Sequence, residues 1–180
     1  MGRDTGLPHG ENRAQSPEYN NRMQGNPKVI AALNEALKEE LTAINQYFLH
    51  AEMCENWHYH KLSEHIRKES IDEMKHAEAL IERILFLDGV PTMTEAMQLT
   101  VGSNVRAQIE SDLKLEISAV AMYNRLVQLA REEGDNISRE LFERLLHDEE
   151  MHVDWLEAQV HQMKELGYER YLSQQIRDDK

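Results

Sequence analysis

Cysteine is almost missing from this chain: Cys54 is the only one among 180 residues. A single thiol excludes an internal disulfide and any cysteine-built zinc or iron–sulfur frame, and it fits a reducing, cytosolic setting. We read Cys54 as a free, inert thiol. Long hydrophobic runs are also missing. No apolar stretch approaches the roughly 18 residues a membrane span needs, and the first residues lack the basic-then-apolar order of a signal peptide. The expectation is a soluble, cytoplasmic protein with no membrane partner. Positive charge is short as well: 20 Lys and Arg face 33 Asp and Glu, a net charge of −13. That balance excludes nucleic-acid binding through a basic surface and leaves cations as natural clients. Acidity alone decides little, because a solvated acidic face is common.

What is present is helical patterning in a chain the size of one domain. Residues 1–22 contain Gly2, Gly6, Pro8, Gly10 and Pro17 with no apolar period, so they are expected to form a disordered tail ahead of one domain over 23–180. From Asn26 and Pro27, a suitable N-cap and first-turn pair, helical periodicity runs to about Trp57. A second helix is predicted from about Tyr59 to Leu87, stopped by Asp88-Gly89-Val90-Pro91. After an unpatterned segment to about 103, a third helix runs from about Asn104 to Glu133 and is capped by Gly134. A fourth starts near Asp135 to Ser138 and ends before Gly167, and a short fifth covers about Glu169 to Arg177. Two helix pairs joined by one long crossover predict an all-α, ferritin-like four-helix bundle with a short C-terminal helix.

The chemistry lies in an internal repeat. At an offset of 76 residues, Leu37 to Ile44 aligns with Leu113 to Val120, Tyr47 with Tyr123, Asp72 to His76 with Asp148 to His152, and Leu80 with Leu156. Each half therefore reads Glu, then Glu-x-x-His: Glu40 with Glu73 and His76, Glu116 with Glu149 and His152. Duplication kept only for packing would explain the repeat but not its polar positions. At seven-residue steps Glu40 lies between Leu33 and Tyr47, Glu73 between Ile66 and Leu80, Glu116 between Ile109 and Tyr123, and Glu149 between Phe142 and Leu156. All four glutamates thus interrupt apolar stripes. His76 and His152 follow at i+3, on the same face as their glutamates.

Four carboxylates at one level of a core repel each other and lose hydration, so something positive has to join them. No Lys or Arg occupies these stripe positions, whereas two divalent cations match the charge. A lone Glu-x-x-His is a weak signal that a surface helix usually explains. Two copies, each paired with an inward glutamate at equal spacing, define a dimetal site of the kind built in ferritin-like bundles. Four carboxylates and two imidazoles without thiolate suit iron or manganese, with zinc as a competitor. Calcium does not favour two histidines.

From about Met23 to Arg177 the chain resembles bacterioferritin, notably in Glu40-Leu-Thr-Ala-Ile-Asn-Gln-Tyr-Phe-Leu-His50, in Glu69 to Glu78 and in Ile81 to Leu87. The resemblance implies that Glu73 and Glu149 bridge two iron ions, that Glu40 and Glu116 are outer carboxylates, and that His76 and His152 each serve one iron. It also implies a ferroxidase that oxidises Fe(II) with O2 or H2O2 and deposits ferric mineral. The expected assembly is a homo-oligomeric cage of twenty-four subunits built from dimers, a second ferritin-like subunit being an alternative member, with a ferredoxin-type reductant for iron release. Met74 follows Glu73 by one residue, so a rotation of about 100° turns it away from the metal seam. Interface packing is its plain role. The resemblance implies instead that Met74 ligates a haem b shared between two subunits, with Met53 and Trp57 as candidates to line that pocket.

Two positions depart from the family: Lys68 and Leu80 stand where some members carry a histidine and a tyrosine. They leave the six ligands intact and bear on the route of iron to the cavity. Tyr47, Tyr123 and Trp155 are candidate sinks for oxidising equivalents, with core packing as the alternative, and Asp112 is a candidate to orient a histidine beside the site. The rival within the same fold is a di-iron oxidase or peroxidase not mainly used for storage. A haem-bearing or structural cage with no oxidase role is the rival from another class.

Overall fold

The computed structural model describes residues 24–94 and 98–176. The expected tail over residues 1–22 and the expected end of the last helix at Arg177 lie outside the described residues. Four long helices form the body: α1 (Pro27–Asn56), α2 (His60–Phe86), α3 (Val105–Glu132) and α4 (Asn136–Leu166), followed by the short α5 (Tyr168–Ser173). Among the described residues there is no strand, and no helix is long and apolar enough to cross a membrane.

Local chemistry accounts for the helix starts. The side chains of Asn26, Asn104 and Asp135 accept hydrogen bonds from the backbone N–H groups of Lys28, Ala107 and Ser138 at 2.8, 3.0 and 3.0 Å. Each satisfies a donor that the first helical turn leaves unpaired. Helix α2 has no such side-chain cap. The Lys61 N–H instead donates to the Gln175 carbonyl at 3.1 Å, while Lys61 Nζ reaches the Gln174 carbonyl at 2.9 Å. These contacts draw the chain away from helical geometry, and α5 ends at Ser173 rather than continuing towards Arg177. Gly134, at φ 74°, makes the turn between α3 and α4 that a side chain would resist.

Helix α1 packs chiefly on α2, and α3 on α4, with the pairs joined through α1 against α3 and α2 against α4. The connection from α2 to α3 climbs alongside α1. Asn34 binds the Val90 carbonyl and the Thr92 N–H, Gln46 accepts from Thr100 N, and His50 Nε2 accepts from Gly102 N. Gly102 is required where the crossover meets α3, because a Cβ there would lie 2.2 Å from Gln108 N. The crossover carries the chain back along the bundle, so α3 runs antiparallel to α1.

Two apolar clusters fill the interior. One includes Leu33, Leu37, Leu80, Ile84, Leu126 and Phe142; the other includes Ala43, Leu62, Ile66, Ile109, Leu156 and Tyr171. Each buried leucine or isoleucine contributes about 1.5–3 kcal/mol, and between the two clusters lies the polar layer predicted from the repeat.

Candidate metal centre

The seven-residue spacing places four glutamates inside, and the structure buries all four: Glu40, Glu73, Glu116 and Glu149 are each at most 3% exposed. His76 is buried and His152 partly so, at the floor of a groove of about 910 Å³ whose walls include Lys68, Glu69, Asp72 and Asp148. Potential ligand atoms of Glu40, Glu73, His76 and Glu149 lie within 4.8 Å of one another, and so do those of Glu73, Glu116, Glu149 and His152. The two groups share Glu73 and Glu149. Two adjacent cation positions with two bridging carboxylates would need such sharing.

The donor atoms point into common space rather than at each other. His76 Nδ1 is 2.7 Å from Glu73 and 3.4 Å from Glu149, while His152 Nδ1 is 3.0 Å from Glu73 and 3.3 Å from Glu149. Despite those distances, both Glu73 oxygens, Glu149 Oε1 and both Nδ1 atoms lack an aligned hydrogen-bond partner. Buried polar atoms are seldom left so. Lone pairs that converge on a point instead of a proton suit a metal ion, and the set of carboxylates and imidazoles suits iron.

The electrostatics agree. Burial pushes Glu40 well above the ordinary carboxylate range, with the charges of Glu149 and Glu73 adding to the effect. Burial likewise lifts Glu116 to about 8 against the pull of the nearby His152 ring. Glu149 moves the other way: burial would raise it, but the adjoining His152 and His76 rings hold it at about 2. For His76, burial opposes the charge, yet Glu149, Glu40 and Glu73 raise it to about 12. His152 is raised for the same reason, chiefly through Glu116, Glu149 and Glu69. The cluster therefore collects positive charge, whether protons or cations.

Neighbouring residues hold the six in place, and the helix pairs cross over. Tyr47 donates to Glu116 and Tyr123 donates to Glu40, so each tyrosine serves the outer carboxylate of the other half. On the groove side, His152 Nε2 meets Glu69 at 2.7 Å and His76 Nε2 meets Asp148 at 3.3 Å. Glu69 is a contributor that pattern reading missed. Its signal was an inward position one turn before Glu73, hidden because its counterpart in the repeat is Leu145.

Two expectations are corrected here: that Asp112 serves a histidine of the site, and that Met53 and Trp57 line the groove beside Met74. Asp112 orients a histidine, but it is His50, at 2.9 Å, and Asp112 also accepts from Gln46 at 2.8 Å; this buried set anchors the crossover rather than a candidate ligand. Trp155 stacks on His65 with ring centroids 3.7 Å apart and lines the groove. Met74 points outward, 46% exposed, but the shallow groove around it is lined by Leu41, Ile44, Ala77, Ile81 and Met93, not by Met53 and Trp57. Those two pack elsewhere, Met53 beside Gln108 and Trp57 against the second apolar cluster, because they lie several turns farther along α1. Cys54 is fully buried beside Gln108, with its thiol pushed up to about 12 by burial, in keeping with an inert role.

Four long helices, one crossover and a paired carboxylate–histidine layer define a ferritin-like bundle, and the family model described as the Ferritin-like domain matches residues 30–166. The bacterioferritin of Mycolicibacterium paratuberculosis is 47% identical over 152 residues, covering 84% of this chain and 96% of that protein. Bacterioferritin BfrA of Mycobacterium tuberculosis is 45% identical with the same coverage. The solved structure of Mycobacterium tuberculosis BfrA matches with a TM-score of 0.85 at 44% identity, over 86% of this chain and 98% of that one. The chain belongs to the bacterioferritin family.

Proposed function

We propose that this chain is an iron-storage subunit whose six buried residues form a ferroxidase site. The observation that carries the reading is the pair of four-residue donor groups sharing Glu73 and Glu149, with unpartnered buried oxygen and nitrogen atoms aimed between them. Glu40 and His76 would hold one Fe(II), Glu116 and His152 the other, and Glu73 and Glu149 would bridge. Paired iron supplies two electrons at once, which matches reduction of O2 to H2O2, or of H2O2 to water, with uptake of two protons.

The protein's own part is to preorganise charge. Glu40 and Glu116 are steadied by the tyrosines, and the imidazoles are held by Asp148 and Glu69. The groove outside the histidines carries Lys68, Asp72, Lys75 and Glu78. These charged groups suit ion traffic, and they stand beside apolar side chains such as Ile66, Met151 and Trp155 that also line the groove. Phe48, Ile71 and Met74, 51%, 47% and 46% exposed, give the outside apolar area that assembly into a cage would cover.

Haem is a separate element of the reading. The outward thioether of Met74 sits in a groove of about 520 Å³ lined by apolar side chains together with Glu78 and Glu82, and Met74 would hold the iron of a haem shared between two copies. Bound there, haem would supply one-electron transfer.

Aerobic addition of Fe(II) to the purified protein, followed by ferric absorbance and native mass, tests the function. Ferric mineral inside a large oligomer is expected; a monomer that never mineralises iron would overturn the storage reading. Unchanged oxidation rates in Glu73→Ala or His152→Ala would overturn the site. Expression with ample haem and loss of the visible band in Met74→Leu tests the haem element alone.

A further inference from the structure

The 76-residue repeat makes the six candidate ligands nearly symmetric, but the carboxylates behind the two histidines are not related by it. His152 Nε2 lies 2.7 Å from Glu69, whose side chain is 12% exposed. The other Glu69 oxygen lies 3.3 Å from His65 Nε2, and His65 is stacked on Trp155 at 3.7 Å with an interplanar angle of 20°. In the second half the positions of Glu69 and His65 are occupied by Leu145 and Leu141. His76 Nε2 therefore has no equivalent of Glu69. It meets Asp148 at 3.3 Å, through a side chain 41% exposed. Asp72, the repeat partner of Asp148, turns away and binds Lys68 at 2.9 Å and Lys75 at 2.6 Å.

A cation on Nδ1 requires the ring proton on Nε2, and a carboxylate accepting that proton fixes the tautomer, the ring orientation and the basicity of the nitrogen. A charge-assisted N–H···O bond is strong at about 2.7–2.9 Å. Glu69 meets that distance, is mostly shielded from water and also faces His65, which is stacked on Trp155. Asp148 does none of these.

Building on the dimetal reading, we propose that Glu69 is a positioning residue that makes the two metal positions unequal, so that the one served by His152 and Glu116 takes the first divalent cation. The position served by His76 and Glu40 fills second. Ordered filling places a single, firmly held cation beside the bridging carboxylates before the reactive pair is complete.

Anaerobic Co(II) titration of the whole protein, read by visible absorption and calorimetry, tests this without turnover. Wild type is expected to bind two Co(II) in separate steps, the first at least about tenfold tighter. Glu69→Leu, which installs the residue found in the other half, should weaken the first step by about 10- to 100-fold. Glu69→Gln, with a neutral acceptor of the same size, should fall between. Asp148→Asn should leave the first step unchanged, and His76→Ala should keep the tight step that His152→Ala removes. Two equal steps in wild type, or a first step unaltered in Glu69→Gln with its melting curve intact, would overturn the proposal. Failure of wild type to bind Co(II) at all would overturn the dimetal reading itself, a distinct outcome.

Discussion

Tyr123 donates its phenolic hydrogen bond to Glu40, a residue on the opposite helix pair and 83 positions earlier in the chain. Tyr47 does the same for Glu116. Each half of the repeat thus steadies the outer carboxylate of the other, and the buried hydroxyl of Tyr123 resists ionisation first through burial and then through the charge of Glu40. Replacing Tyr123 by Phe leaves a buried carboxylate short of a donor. We expect a loss of about 1–3 kcal/mol in denaturant unfolding of the metal-free protein. Weaker Co(II) binding at the Glu40 position should accompany it.

Metal binding should release protons. Burial raises Glu40 and Glu116, the latter to about 8, while the surrounding carboxylates raise His76 to about 12 and lift His152 as well. These upward shifts favour protons on the cluster, which a metal must displace. The sign follows: binding weakens as pH falls, by about tenfold per pH unit for each proton released. Calorimetry in buffers of different ionisation enthalpy should show net proton release as the site fills. Release of none would show that the cluster does not collect protons as described.

Asp135 joins the start of α4 to the last turn of α2 at one end of the bundle. It caps α4 through Ser138 N at 3.0 Å and binds Arg83 of α2 at 2.7 Å. Burial acts to raise its carboxyl, but the Ser138 and Arg83 interactions outweigh it and hold the group below its ordinary range. A depressed folded-state value contributes stability above the ordinary carboxylate range and loses it as pH falls through the folded value. Asp135→Ala should cost about 0.5–2 kcal/mol at neutral pH. The difference from wild type should shrink in acid, as thermal melts across pH would record.

The crossover hangs on Asp112. Gly102 N–H donates to His50 Nε2 at 3.1 Å, so the ring proton sits on Nδ1 and is directed to Asp112. Asp112→Leu removes a fully buried acceptor serving both His50 and Gln46, and about 3–5 kcal/mol is expected from breaking such a set. Amide hydrogen exchange at Thr100 and Gly102 should accelerate more than exchange within α4. Uniform acceleration would place the role of Asp112 elsewhere.

The sequence alone determined the helices and the six inward residues. Helix ends fell within a residue or two for α1 to α4, because caps and glycines act over one turn. The buried polar layer was legible because a glutamate in a seven-residue apolar stripe has only one place to go, and the equal spacing in both halves puts the four at one level. Tertiary structure decided which side chain meets which. Periodicity tells a residue's face but not the rotation and register of the helix opposite. Glu69 reaching His152, Tyr123 reaching Glu40 and Asp112 reaching His50 each depend on packing between segments far apart in the chain. The repeat even misdirects at these points, since it pairs Glu69 with Leu145 and so hides the asymmetry that packing exposes. Local rules set what each helix presents, and only helix-on-helix packing sets what receives it.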